Sequence, residues 1–454
     1  FLNTFFSKML KLIIFMNMAK KYYFIGIGGI SMSALAIFLK LSGEEVSGSD
    51  ITINETMQNL DKFNIKYNIG HIESNIATYN PDIVVINCAI DEKNDELNWA
   101  KANKIKIISR AKLLGDFSKN FKNIIAISGT HGKTTTVGMI SEIFIEAGLK
   151  PSVHIGGMLN KINSNFLVGE QKFFITEACE YKNSFLYLKP KIGVMLNIER
   201  DHMDFFKNYK ELENSFDKFL DQSKIKIYPK SVHSDFDFYY QSNTKLINFY
   251  ATNIEKSKRG IIFKYYENGK FITTIRLNTF GTHNVNNAIV AIVIARHYKV
   301  KIADIKRALK NFSGVKRRFE TIGYLGNTVV IHDYAHHPTE IKKVIKQAKE
   351  LGRVLTVFQP HTYSRTKKLF ANFKTAFDEA DKTILCKTYP ARETTDMGYD
   401  AKKLYENLTD KIEVEYFDDE SKMLKSIKKQ CKNFDVVLML GAGNIDQSAK
   451  KLLK

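Results

Sequence analysis

Apolar and polar positions along the chain switch repeatedly between strand-like runs and helical spacing. Residues 21–28, KYYFIGIG, are a short apolar run entering a glycine turn, and ISMSALAIFLKLSG continues at helical spacing until Gly43. EEVSGSD reads as a second strand ending in Asp50, with further buried strands in PDIVVINCAI (81–90) and KIKIISR (104–110). The pattern restarts as strand, loop and helix at NIIAISGTHGKTTTVGMISEIFIEAG, followed by strands at KFFITEA and KIGVMLNI and a helix at HNVNNAIVAIVIARHY. After NFSGVKRRFE it restarts once more: TVVIHDY, a helix through 350, RVLTVFQP, a helix through 380, KTILCKTY and DVVLMLGAG. Strands alternating with helices predict parallel sheets, and three such series predict three α/β domains, over 21–118, 119–312 and 313–454. No solenoid repeat and no low-complexity tract interrupts them.

Two glycine turns add chemistry to this frame. GIGGIS holds Gly26, Gly28 and Gly29, while Ser31 stands where the last glycine of G-x-G-x-x-G belongs. Gly26 permits the tight turn, Gly28 lets backbone approach a diphosphate, and the following helix N-terminus faces the anion. Asp50, 22 residues past Gly28, stands where a ribose-binding acid is expected. The turn reads equally as the tight turn of any α/β domain, and it does not distinguish NAD from another nucleotide. The second turn, in IIAISGTHGKTTT (124–136), has G-x-x-G-K-T spacing, with Ile127 where the longer phosphate loop has its first glycine. Gly129 and Gly132 allow successive N–H groups to point at phosphate oxygens, Lys133 is a point charge for the β- and γ-phosphates, and the Thr134 hydroxyl suits Mg²⁺. A second phosphate loop argues against a dehydrogenase. Acids and an imidazole follow: Glu177 and Glu180 in TEACEY, and Asp201, His202 and Asp204 in NIERDHMDFF. Singly they read as surface acids and a hydrogen-bonded loop His; beside a triphosphate they read as metal ligands.

The net charge of +20 does not change that picture into nucleic-acid binding, because only 11 of the 68 basic residues are Arg and no Arg-rich run or zinc-finger spacing occurs. A lysine-coated surface is the reading that remains. Four widely spaced cysteines (Cys88, Cys179, Cys386, Cys431), without a CxxC pair, argue against a disulfide framework or a structural zinc and fit a reducing, cytoplasmic setting. The opening FLNTFFSKMLKLIIFMNMAKK is interrupted by Lys8 and Lys11, too short for a membrane span of roughly 18 apolar residues. No small-residue cleavage site follows it, and Met16 and Met18 are alternative starts, so residues 1–20 are set aside from the fold.

The G-x-x-G-K-T-T loop, NIERDHMD, GTHNVNNAIVA and GVKRRFE together resemble the Mur ligases, ATP-dependent amide-forming enzymes of peptidoglycan assembly. GIGGISMS, SGSD, GTHGKTTT, HDYAHHPTEI, FQPHTYSRT and the terminal GAGNI narrow the resemblance, over about residues 21–450, to the members that join L-alanine to UDP-N-acetylmuramate. The short loop is then that family's own version. The resemblance implies a Rossmann-like N-terminal domain for the UDP-sugar, a central P-loop ATPase-like domain for ATP and a Rossmann-like C-terminal domain for the amino acid. It implies ATP contacts from Gly129, Thr130, His131, Gly132, Lys133, Thr134 and Thr135, and from His283, Asn284, Asn287, Asp333 and Tyr334. Thr134, Glu177 and His202 would hold Mg²⁺; Lys133, Glu177, His202 and Arg318 would be catalytic. Gly28, Gly29, Ser31, Ser49, Asp50, His71 and Arg110 would bind the UDP-sugar, and His336, His361 and Arg365 the amino acid. Three positions depart from the family pattern: Ser31 for a glycine, Cys179 where an Asp is frequent, and Thr362 for an Arg common after the His of QPH. The implied partners are small molecules, with no nucleic acid and no membrane insertion; a homodimer is left open. A recycling ligase that adds a whole tripeptide to the same sugar nucleotide shares the ATP motifs and is the alternative.

Overall fold

The computed structural model describes residues 19–453 except 55, 201, 204, 232–235, 258–259, 392 and 394–396. The leader reading of residues 1–18 and the candidate ligands Asp201 and Asp204 therefore lie outside the described residues. Among the described residues, no helix is long and apolar enough to cross a membrane. The chain forms two compact units: one runs to Phe249 and takes in Val290–Val300, the other comprises Tyr250–Ile289 and Lys301–Lys454.

In the first unit, β1 (Lys21–Ile25), β2 (Glu45–Asp50), β3 (Lys66–Ile69), β4 (Ile83–Ile86) and β5 (Lys106–Ser109) make a parallel sheet in the order β3-β2-β1-β4-β5. The order reverses beside β1, the place where open α/β sheets leave a crevice for a ligand. The glycine turn sits at that end, and Gly26 takes φ 83°, a conformation costly for other residues. The same unit holds β6 (Asn123–Ser128), β7 (Ser152–Leu159), β8 (Ser164–Leu167), β9 (Phe173–Glu177), β10 (Ile192–Met195), β11 (Ile225–Pro229) and β12 (Asp237–Gln241). They run in the order β12-β11-β10-β6-β9-β7-β8. Helix Ile30–Leu41 is buried from Met32 to Leu39 because both sheets pack on it. Its Phe38 lies 5.0 Å from Phe117 and 5.9 Å and 6.1 Å from Phe166 and Phe174 of the second sheet, measured between ring centroids. Aromatic burial of this kind is worth several kcal/mol per ring, about 3–5 by truncation.

Strands β13 (Leu246–Ser257), β14 (Gly260–Glu267) and β15 (Lys270–Leu277) follow in the chain. The second unit's own sheet comprises β16 (Glu320–Leu325), β17 (Thr328–Asp333), β18 (Val354–Phe358), β19 (Lys382–Cys386), β20 (Val414–Phe417) and β21 (Val436–Leu440), in the order β16-β17-β21-β18-β19-β20. Its central strands are buried on both faces, so they read as unbroken apolar runs.

The α/β class is as the sequence predicts, but the sheets are mixed rather than wholly parallel. Pairs β7/β8, β11/β12, β14/β15 and β16/β17 are antiparallel. The β14/β15 turn is Asn268-Gly269 with φ 46° and 79°, the left-handed pair that a tight hairpin requires. The helix expected through 380 is broken into Tyr363–Lys368 and Phe370–Phe373, because Leu369 leaves helical geometry at φ −107°, ψ 13°.

Gly48 of β2 tests how tightly the first turn is built. A Cβ there would run into the Phe24 carbonyl oxygen of β1 and lie 2.9 Å from Ile27. Gly48→Ala is expected to cost about 1–3 kcal/mol by overpacking, read as a lower urea midpoint; an unchanged midpoint would show that β1 and β2 can separate freely.

Candidate functional site

The phosphate loop follows a wholly buried β6 and opens helix Lys133–Glu146. Gly129 (φ 134°) and Gly132 (φ 86°) take conformations that glycine alone adopts readily. A Cβ at 129 would crowd the Leu196 Cβ at 3.0 Å. The loop is pinned from the β10 end. The Thr130 N–H donates to the Asn197 carbonyl (3.2 Å), the His131 N–H to Asn197 Oδ1 (2.9 Å), and the Glu199 N–H to Thr130 Oγ1 (2.9 Å). The His131 ring lies 3.2 Å from Glu199, both half-exposed.

Lys133 Nζ reaches both carboxylate oxygens of Glu180, at 3.0 and 3.1 Å, and also donates to the Gly129 carbonyl. The Glu180 side chain is 1% exposed and that of Lys133 17%, so the pair is desolvated and each charge depends on the other. His202 Nε2 stands 4.0 Å from Glu180, with its ring centroid 4.7 Å from that of Tyr181. Glu177, at the end of β9, turns elsewhere: its Oε1 accepts the Gly156 N–H of β7 at 2.6 Å. Of the two acids in TEACEY, Glu180 is therefore the one assembled with Lys133 and His202, though the expected ligand set carried Glu177. The half-exposed Thr134 follows Lys133 in the first helical turn.

Hydroxyl, carboxylate and imidazole donors grouped around a phosphate loop fit a hard divalent cation such as Mg²⁺. Among the described residues no three His, Cys, Asp or Glu side chains form a metal cluster.

At the first glycine turn, the Gly28 N–H donates to Asp50 Oδ2 at 2.8 Å, and the Asn54 and Thr56 side chains donate to the Gly28 carbonyl. Ser49 donates to Glu96 and lies 2.8 Å from His71 Nδ1. Glu96, fully buried, also accepts from Tyr23 at 2.8 Å and stands 3.3 Å from His71. Ser31, Arg110 and the buried His154 form a second polar group: Arg110 Nη1 donates to Ser31 Oγ at 3.1 Å, and Ser31 Oγ is 2.8 Å from His154 Nε2. Gly29, ahead of the helix, donates its N–H to the Gly26 carbonyl.

In the second unit, Asn284 and Asn287 are buried at the start of helix His283–His297, hydrogen-bonded to the Phe280 carbonyl (2.6 Å) and to each other (2.9 Å), while His283 is exposed. Asp333, at the end of β17, accepts the N–H groups of Phe319 (2.7 Å) and Ala335 (2.8 Å), which folds the RRF segment onto that strand end. Burial pushes the Asp333 carboxyl up to about 6, partly offset by those N–H groups and Arg318. Arg318 and Tyr334 are exposed beside it. His336, His361 and Arg365 come together as expected: the two imidazole centroids are 6.2 Å apart, and Arg365 Nη1 is 2.9 Å from His361 Nδ1. Burial, with the Arg365 charge nearby, lowers the proton affinity of both imidazoles. Tyr389 stacks on His361 at 5.6 Å, and Glu393 accepts the N–H groups of Tyr363 (2.6 Å) and Ser364 (3.0 Å). Thr362 takes φ 69° and caps the helix that carries Arg365, accepting its N–H at 3.4 Å.

Glu96, His154, Asn197, Tyr389 and Glu393 were not among the expected residues. Glu96 looks in sequence like any first-turn helix acid after the Asn94 cap, and only sheet packing buries it. Asn197 alone carried a signal, as the first residue of the NIERDHMD motif just past the end of β10.

A glycine turn, a separate short phosphate loop with a buried Lys–Glu pair, and an Arg–His cluster on a third sheet fit an ATP-using enzyme. The chain belongs to the Mur ligase family: it matches models for the Mur ligase family catalytic domain over 21–122, the Mur ligase middle domain over 127–295, and the Mur ligase glutamate ligase domain over 317–443. It is 39% identical to the UDP-N-acetylmuramate–L-alanine ligase of Caldicellulosiruptor bescii, with 96% of this chain and 98% of the relative aligned. It is 40% identical to the enzyme of that name from Clostridium tetani, with 97% and 99% covered. The crystal structure of UDP-N-acetylmuramate-alanine ligase from Thermotoga maritima superposes with a TM-score of 0.77 at 26% identity, covering 96% of this chain and 98% of that one. A murein peptide ligase from Psychrobacter arcticus shares the fold with a TM-score of 0.57 at 22% identity, covering 96% of this chain and 98% of that one.

The Lys133–Glu180 pair yields a direct test by urea unfolding. Lys133→Ala leaves a buried carboxylate without its partner and should cost about 3–5 kcal/mol. Adding Glu180→Gln should restore most of that loss, since no charge is then stranded. Additive losses in the double variant would show that the two side chains do not depend on each other.

Proposed function

We infer that this protein joins L-alanine to the carboxylate of UDP-N-acetylmuramate, converting ATP to ADP and phosphate in peptidoglycan precursor synthesis. The observation that carries the reading is the 39–40% identity, over nearly the full length of both chains, to ligases of that name. The phosphate loop supports it with a Lys and a carboxylate already in contact at the place where γ-phosphate chemistry would occur. We keep 21–118, 119–312 and 313–454 as the assignments for UDP-sugar, ATP and amino acid.

The chemistry follows from the substrates. A carboxylate is a poor acyl donor, so one of its oxygens first forms a bond to the γ-phosphorus as the bond to the β-phosphate oxygen breaks and ADP leaves. The alanine amine then bonds to the acyl carbon, the carbon–oxygen bond to phosphate breaks, and the nitrogen gives up a proton. Lys133 and the loop N–H groups would offset charge on the transferring oxygens, where such preorganised donors contribute most. A Mg²⁺ ion held by Thr134, by Glu177 or Glu180, and by His202 would neutralise phosphate charge and draw on oxygen ligands from both substrates. Asp50, Ser49, His71, Arg110, Ser31 and the Gly28–Gly29 backbone are assigned to the UDP-sugar; His283, Asn284, Asn287, Asp333, Tyr334 and Arg318 to ATP. Arg365, with His336 and His361, is assigned to the alanine carboxylate, for which a planar bidentate donor is suited. ATP as co-substrate puts the reaction in the cytoplasm.

The deciding experiment is coupled phosphate release with UDP-N-acetylmuramate, ATP and Mg²⁺, offered either L-alanine or the tripeptide that the recycling ligase adds. Release is expected with L-alanine; release with the tripeptide alone would replace the reading by the recycling one. Lys133→Ala should abolish release while UDP-N-acetylmuramate still binds, and turnover within tenfold of wild type, ~1.4 kcal/mol of barrier, would remove Lys133 from this role. Arg365→Lys keeps charge but loses the fork, worth ~1.5–3 kcal/mol, so the KM for L-alanine should rise roughly tenfold to a hundredfold. The KM values for ATP and UDP-N-acetylmuramate should change little; an unchanged alanine KM would take Arg365 out of the pocket.

A further inference from the structure

His154 lies on β7, 3% exposed, in register with Thr176 of the parallel neighbour β9, so the two side chains share a face. It joins its own sheet to the helix Ile30–Leu41 that follows the glycine turn. Its Nδ1 is 3.0 Å from Thr176 Oγ1, and its Nε2 is 2.8 Å from Ser31 Oγ in the first helical turn after the glycine turn. The directions of these bonds are fixed by what lies at each end. The Thr176 hydroxyl donates to the Glu177 carbonyl at 3.0 Å, so its oxygen is left to accept the His154 Nδ1–H. His154 Nε2 then carries no proton and accepts from the Ser31 hydroxyl, whose oxygen in turn accepts Arg110 Nη1–H at 3.1 Å. One directed chain thus runs from Arg110 through Ser31, His154 and Thr176 to the backbone of Glu177. Two residues beyond His154, the Gly156 N–H holds the Glu177 carboxylate at 2.6 Å, and a Cβ at 156 would lie 2.9 Å from it. Strand β7 therefore holds the Glu177 carboxylate directly, through Gly156, and reaches its carbonyl only through the Thr176 hydroxyl. Burial, reinforced by the Arg110 charge, holds the imidazole down to about 3, so it stays neutral at working pH.

We propose that His154 is a positioning residue for the ligase reaction, tying Ser31 and Arg110 at the UDP-sugar turn to the strand end that presents Glu177. The proposal rests on the function inferred above, in which Ser31 and Arg110 meet the UDP-sugar and Glu177 serves the phosphoryl-transfer side. Ser31 stands where a glycine would offer no side-chain partner, so Ser31 and His154 act as a pair. The imidazole does not touch a reacting atom. Its effect is on where two groups of residues stand relative to each other.

The two ring nitrogens can be separated by substitution in the full-length protein. In His154→Gln the amide reaches about as far as Nε2, keeping a partner for Ser31 and losing Thr176; in His154→Asn it reaches about as far as Nδ1, with the opposite outcome. Calorimetric titration with UDP-N-acetylmuramate and steady-state phosphate release read the two ends. His154→Asn should weaken UDP-N-acetylmuramate binding about tenfold, the size of one hydrogen bond. His154→Gln should keep that affinity within about threefold while lowering kcat about tenfold. In a Ser31→Gly background, His154→Asn should weaken binding no further, because the shared bond is already gone. Both single variants matching wild type, or both losing affinity, kcat and melting temperature in parallel, would overturn the proposal in favour of a purely structural imidazole. A wild-type protein that releases no phosphate with UDP-N-acetylmuramate and L-alanine would overturn the reading beneath it instead.

Discussion

A carboxylate buried at 1% exposure is tolerable only beside a compensating charge, and in this protein Glu180 has that charge in Lys133. Removing two opposite charges from water costs several kcal/mol per ion, so the pair persists only where packing forces it. The forcing is visible. Lys133 is the first residue of a helix whose start is fixed by left-handed Gly132, and Glu180 follows the end of β9, beside β6 in the sheet. The loop conformation, the helix start and two adjacent strand ends thus converge on one ion pair. Under the inferred function, a phosphate entering the loop would offer Lys133 a second anion.

The rest of the first unit supports that geometry through packing rather than polar contact. Phe38, Phe117, Phe121, Phe166 and Phe174 interlock, with Phe121 and Phe174 stacked at 4.8 Å, and fix helix Ile30–Leu41 against the strands that carry the phosphate loop and Glu177. The glycine turn before that helix is therefore not an independent module. Its polar chain through His154 runs alongside an apolar one, and both place the turn against β7 and β9.

Much of this was legible in the sequence. Unbroken apolar runs bounded by glycine turns located the parallel strands, because a strand buried on both faces has no polar register to hide in. The short phosphate loop was legible because its glycines have no substitute at those dihedral angles. The Asn268-Gly269 hairpin was equally written there and went unread behind the alternating pattern. What could not be read was which of two nearby acids turns inward. Glu177 and Glu180 differ by three positions, and only the folded chain shows that Glu180 meets Lys133 while Glu177 meets the Gly156 N–H. Glu96 and His154 were hidden for a related reason: burial of a polar residue depends on a distant partner, and a single sequence does not display partners. Thr362, a departure from the family pattern, is the cap of the helix bearing Arg365.

The inferred activity makes a demand on atoms that binding or rate measurements do not address. If the sugar carboxylate is activated by phosphoryl transfer, one of its own oxygens must leave with phosphate when the amine attacks. UDP-N-acetylmuramate labelled with ¹⁸O in the carboxylate, turned over with ATP, Mg²⁺ and L-alanine, should give inorganic phosphate carrying one ¹⁸O per amide formed. Unlabelled phosphate, or AMP and diphosphate in place of ADP, would contradict the account.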